Sequence, residues 1–129
     1  MLIERCTISC GDDHIAIKSG LDGPGFAVNK PSRNITVRGN LHLAGRGISI
    51  GSEVSGGIEM VRIEDVQHVG PSVRLPPPAV CSTCCSAVPL TCDRAQEHGL
   101  HIKTSATRGA YIRDVTYKNI TQETSLPMM

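Results

Sequence analysis

Apolar and polar positions alternate over several short runs of the chain, and none carries a sustained 3.6-residue stripe. The segments "HIAIKSG" (14–20), "GISIGSE" (47–53) and "LHIKTSA" (100–106) each read as a short strand closing on Ser or Thr. Further strand-like runs lie between and after them: "RNITVRGNLHL" (33–43), "GIEMVRIEDVQHV" (57–69) and "AYIRDVTYKNIT" (110–121). Ile15 and Ile48 are 33 residues apart, and Ile48 and Leu100 are 52 apart. Self-similarity at such periods marks a solenoid, in which no repeat buries its apolar face alone. The longer spacing contains residues 70–98, which show no strand period and carry Pro76-Pro77-Pro78 and four cysteines. Removing about twenty of these residues would bring the two spacings level. The pattern predicts an all-β chain, a right-handed parallel β-helix truncated to a few rungs. It would be one partial domain over 1–129, with 70–98 as an irregular Pro- and Cys-rich loop or insert. A β-sandwich is the second choice, disfavoured because two-residue hairpin turns such as Asn-Gly are scarce.

Composition agrees with strands and turns. The chain of 129 residues has 12 Ile and 10 Val, no Trp, 13 Gly and 8 Pro. A formal net charge of +1 gives no bulk field for nucleic acid, and one Phe with two Tyr make no stacking platform for single strands. No apolar run is long enough to cross a bilayer, so no membrane partner is expected. The opening "MLIERCTISCGDD" is not a signal peptide, since Glu4 and Arg5 break any apolar core; taken literally, the chain stays in the cytosol. The sequons at Asn34 and Asn119 are compatible with secretion, although Asn-Ile-Thr equally suits a turn leading into a strand.

The chemistry begins at "GDDHIAIKSG" (11–20). Neighbouring side chains of a strand point to opposite faces, so two adjacent carboxylates would send one toward the core at high cost. Asp12 and Asp13 therefore sit at a bend where both reach solvent, or are held for chemistry. As ordinary turn residues they would be capped by backbone donors.

Three ordered blocks, "GDDHIAIKSG", "GRGISIGSEVSGGI" and "HIKTSATRGAYIRDVTYKNIT", resemble glycoside hydrolase family 28, the polygalacturonases. The resemblance covers nearly everything except residues 70–98. It implies a secreted β-helix that hydrolyses α-1,4-galacturonosyl bonds of pectin with inversion and needs no metal or other cofactor. The expected partner is pectic polysaccharide, the expected location the cell wall, and the expected state a monomer. Carried onto this chain, the resemblance makes Asp12 the general acid and Asp13 a carboxylate that activates water. Lys103 matches the lysine that binds a substrate carboxylate, and Gly11, Gly45 and Gly47 match flanking glycines. Glu53 and Gly56-Gly57 follow the family pattern without an assigned role, and Tyr111 falls near the usual subsite region. Inverting hydrolysis needs one protonated carboxyl and one ionised carboxylate on opposite faces of the bond. Crowding carboxylates pushes their pKa values apart. A polyanionic substrate makes Lys103, His101, Arg46 and Lys18 its natural counter-ions.

The chain departs from the family pattern at several points. An Asn-Thr-Asp block, with a further water-activating carboxylate, would lie upstream of residue 1. Arg46 stands where the family has the histidine of Gly-His-Gly; a guanidinium stays protonated and shuttles no proton, but can grip a carboxylate bidentately. His101 replaces the arginine of Arg-Ile-Lys. His14 and His42 occupy positions where members often have cysteines. If they stack on adjacent rungs, two imidazoles replace a disulfide. Two ligands fall short of a tetrahedral metal site, so no metal is expected there and both read as surface or half-buried histidines. Cys81, Cys84, Cys85 and Cys92, with His98, allow a zinc reading on C-x-x-C spacing; a loop or spurious insert is the simpler reading. On these departures the isolated chain is expected to hydrolyse little. Two alternatives stand beside the enzyme reading: a non-catalytic β-helix remnant that binds acidic polysaccharide through Arg46, Lys103 and Lys18, and a Cys-rich metal or interaction module built on 70–98.

Overall fold

A computed structural model describes residues 1–69 and 99–123. The segment 70–98, with its cysteines and His98, lies outside the described residues, and so do the expectations placed on it.

The chain winds as a right-handed parallel β-helix. The first coil contains β1 (Leu2–Glu4), β2 (Thr7–Ile8) and β3 (Ile15–Ile17). After a short helix α1 (Asp22–Val28), the second contains β4 (Ser32–Arg38), β5 (Leu41–His42) and β6 (Ile48–Ile50). The third contains β7 (Ile58–Val69) and β8 (Leu100–Ile102), and the fourth begins with β9 (Ile112–Glu123). Strands from successive coils pair in parallel, β1-β4-β7-β9 and β2-β5-β7 in one curled sheet and β3-β6-β8 in another.

The three look-alike segments do lie side by side. Ile15, Ile48 and Leu100 are in register, as are Ala16, Ser49 and His101, and Ile17, Ile50 and Ile102. The inward positions form unbroken aliphatic columns: Ile35 over Val61, Val37 over Ile63, Ile15 over Ile48 and Ile17 over Ile50, all buried. β-branched side chains repeat there because each must pack on its like in the next coil.

The coil is shorter than the 33-residue spacing suggested. Ile35 and Val61 are register partners 26 residues apart, whereas Ile3 and Val37 are 34 apart. The first turn is longer because it holds α1, which has seven residues. Between Ile58 and Ile112 the interval is 54, so the third turn carries roughly one extra coil's worth of chain. Helix α1 was invisible in the pattern since "DGPGFAV" combines two glycines and a proline, all poor helix formers. It ends at Asn29 in the left-handed region, whose N–H bonds to the Gly25 carbonyl.

The corners of the coil are two stacked columns of left-handed residues. Arg5, Gly39, Asp65 and Asn119 form one, with φ of 52°, 60°, 54° and 51°. Asn34, Met60 and Asp114 form the other, with φ of 56°, 53° and 54°. Asn and Asp tolerate this conformation better than most residues. Both sequon asparagines thus occupy corner bends, and Asn119 Nδ2 donates to Asp65 Oδ1 on the coil beneath at 2.7 Å.

Candidate functional site

Strand β3 begins only at Ile15, so the two aspartates precede it in a bend. This resolves their adjacency. Asp12 points outward with 74% of its side chain exposed, while Asp13 is only 13% exposed and turns along the sheet. Asp13 is held from both later coils. Ser49 Oγ of β6 donates to its Oδ1 at 2.7 Å, and Lys103, just past β8, donates from Nζ to its Oδ2 at 2.8 Å. Burial works to raise the Asp13 pKa, but the Lys103 and Ser49 hydrogen bonds and the charges of Lys103 and Arg46 outweigh it, so the carboxyl lies below its ordinary value. Asp13 is therefore an ionised carboxylate at neutral pH, suited to accept a proton.

Asp12 Oδ1 accepts the Asp13 backbone N–H at 2.9 Å and an Arg46 guanidinium N–H at 3.1 Å. The Asp12 carbonyl accepts the Arg46 backbone N–H at 2.8 Å, so the loop carrying arginine is stitched to the loop carrying both carboxylates. This close approach requires Gly45. Its φ is +147°, and a Cβ there would lie 2.6 Å from the His14 ring.

The other expected clamps lie along the same sheet. His101 is the register partner of Ser49, in the column that faces outward with Ala16. Lys18 follows β3 by one residue and forms an ion pair with Glu53 at 2.6 Å, so its charge is shared with a carboxylate within the chain. Tyr111 is partly exposed at the start of the fourth coil, beneath the Arg113 guanidinium at 4.8 Å. The structure thus brings Asp12, Asp13, Arg46 and Lys103 together, with Lys18 set apart by its own partner. Ser49 was missed by sequence reasoning. Its position opposite Ala16, visible once "GISI" is laid on "HIAI", was the available signal.

A second cluster lies behind this surface. The His14 and His42 rings stack with centroids 4.5 Å apart, meeting the condition under which they would stand in for a disulfide. A third ring, His68, meets His42 edge-on at 4.8 Å. Contrary to the surface or half-buried reading, His42 is fully buried, as is His68, and neither ring nitrogen of either has a hydrogen-bond partner. His14 is partly buried; its Nδ1 accepts the Gly47 N–H at 2.9 Å and its Nε2 lies 3.0 Å from the Ala44 carbonyl. Burial, reinforced by the neighbouring imidazoles, pushes His42 down to about 3 and His68 down to about 4. All three rings are neutral at physiological pH. His68 follows His42 by one 26-residue coil and is its register partner, a signal that aligning "NITVRGNLHL" with "MVRIEDVQHV" would have revealed.

Comparison with known proteins bears on this surface directly. The family model for glycosyl hydrolases family 28 matches residues 1–72. A probable polygalacturonase of Vitis vinifera is 32% identical over 124 residues, which cover 95% of this chain and 20% of that protein. Polygalacturonases of Ralstonia nicotianae and Ralstonia solanacearum are 29% and 28% identical, over 93% and 88% of this chain and 17% and 16% of their own. The chain therefore spans about a fifth of the length of these relatives. No solved structure matches.

Proposed function

The chain belongs to glycosyl hydrolases family 28, and from that premise we propose that its aspartate pair acts on α-1,4-galacturonosyl bonds of pectic polysaccharide. In this reading Asp12, exposed at the lip of the bend, donates a proton to the leaving glycosidic oxygen. Asp13 takes the proton of the attacking water and is kept ionised for it by Ser49 and Lys103. Lys103, Arg46 and the His101 ring face the galacturonate carboxylates. The observation that supports this best is the Asp13–Lys103 bond at 2.8 Å between residues 90 apart in sequence. It joins two blocks of the family pattern at one carboxylate.

Such chemistry needs no metal or other cofactor, because two carboxyl groups in opposite protonation states perform both proton transfers. A polysaccharide substrate sets the place of action outside the cell, at the wall. Among the described residues, no helix is long and apolar enough to cross a membrane.

The test is incubation of the full chain with polygalacturonate while new reducing ends are counted. Turnover that falls about a hundredfold or more in Asp12→Asn and in Asp13→Asn supports the reading, since positioned acid–base groups contribute that much. Turnover unaffected by either change contradicts it. Salt-sensitive binding with oligomer length intact would favour the non-catalytic reading, which the Arg46 substitution supports: this residue supplies charge where proton exchange is called for.

A further inference from the structure

We infer that His14, His42 and His68 form a zinc-type divalent metal site that ties three consecutive coils together. One histidine comes from each of the first, second and third coils, and their candidate ligand nitrogens all lie within 4.8 Å of one another. This site is separate from the proposed acid–base chemistry and does not depend on it.

The argument is one of satisfaction. A buried polar group without a partner is destabilising, and His42 and His68 present four such nitrogens side by side in the interior. Val66 lies two residues before His68 on the same face of β7, and both are buried. Simple hydrophobic residues would fill this space better if nothing were to be bound. A cation accepting one lone pair from each ring would satisfy one of the two orphaned nitrogens on His42 and one on His68. Neutral imidazole is a preferred ligand of zinc, and three imidazoles with a fourth position for water or an anion is an established coordination pattern.

The geometry is near what is required. On a tetrahedral zinc with bonds of about 2.0–2.1 Å, ligand nitrogens sit about 3.3–3.4 Å apart. Side-chain rotations therefore have to draw the three rings inward by about 1.4 Å at most, the gap between that spacing and the observed 4.8 Å limit. His42 and His68 have no hydrogen bonds to break. His14 has two: it gives up the one its Nδ1 accepts from Gly47 N–H, freeing that lone pair for the metal, and keeps the one its Nε2–H donates to the Ala44 carbonyl. The bond it keeps acts as the outer-shell partner that orients a ligating histidine. Because His14 is adjacent to Asp13, a bound metal also fixes the bend that carries both aspartates.

Cys81, Cys84, Cys85 and Cys92 could also take zinc, so the test uses the full chain carrying C81S, C84S, C85S and C92S. Zinc is removed with a chelator, then zinc or cobalt(II) is titrated back. The expected result is one equivalent bound per chain, a rise in Tm on binding, and a cobalt spectrum of tetrahedral nitrogen ligation without a thiolate charge-transfer band. His68→Gln should weaken affinity about a hundredfold or more. Three results overturn the inference: no metal-dependent change in the otherwise wild-type background, a thiolate band (which would point to Cys6 or Cys10), or undiminished affinity in His68→Gln. The spectrum in the serine background decides the matter even where His68→Gln fails to fold.

Discussion

Arg46 is the guanidinium that meets the exposed aspartate of the pair, Asp12. It sits 3.1 Å from the carboxylate, where it contributes charge and hydrogen-bond donors but no exchangeable proton at working pH. If the proposed acid–base reading holds, Arg46→His should raise turnover of polygalacturonate by about tenfold or more, by placing a proton-exchanging ring beside the proposed acid; equal or lower kcat would refute this. The buried imidazoles make a separate prediction, for metal-free protein in chelator. His42 and His68 bind protons less readily folded than unfolded, their folded values being about 3 and about 4. The unfolded chain thus takes up more protons as pH falls. The stability they contribute is complete only well above pH 6.5 and is lost on acidification, by about 1–2 kcal/mol each between pH 6.5 and 5. Denaturation curves across that window should show the loss, and His68→Leu should reduce it. An unchanged slope in His68→Leu would contradict the account. At this scale the sequence showed Asp12, Asp13 and Lys103 through the resemblance of their surroundings. It hid Ser49 and His68, because a serine in a strand and a histidine in an apolar run carry no signal until the coils are aligned.

Strands and corners set the spacing that makes those residues neighbours. The short β3, β6 and β8 were legible because Ile or Leu alternates with polar or small residues in all three. The longer β7 and β9 were legible as runs, 57–69 and 110–121, within one or two residues of their observed ends, but the two left-handed corners each passes through were not, since strand periodicity does not reveal them. Met60 is the poorest fit to its corner. It stands between Asn34 and Asp114 in a column suited to Asn, Asp and Gly, and its side chain is partly exposed, so little packing holds it. Met60→Asn should stabilise the chain by about 0.5–1 kcal/mol, relieving part of the left-handed penalty. A lower Tm by circular dichroism would show that Met60 packing outweighs the backbone strain. Coil length was misjudged for the same local reason: α1 lengthens the first turn and imitates a 33-residue repeat.

Across the whole molecule, stability and site share one cause, the stacking of coils in strict register. A slip of one coil by one residue would turn the aliphatic columns outward and would also separate Asp13 from Lys103. The fold was legible as a solenoid because repetition itself is the signal, whereas residues 70–98 repeat nothing and gave no structural expectation beyond irregularity. The most direct measurement is a double-mutant cycle between the first coil and the end of the third, using Asp13→Asn, Lys103→Met and the pair, with unfolding free energy read from denaturant titration. The pair is mostly shielded, with side-chain exposures of 13% and 32%, so the account predicts a coupling of about 1 kcal/mol or more. Additive effects, with coupling below about 0.3 kcal/mol, would mean that the two residues do not meet and that the coils are not stacked as described.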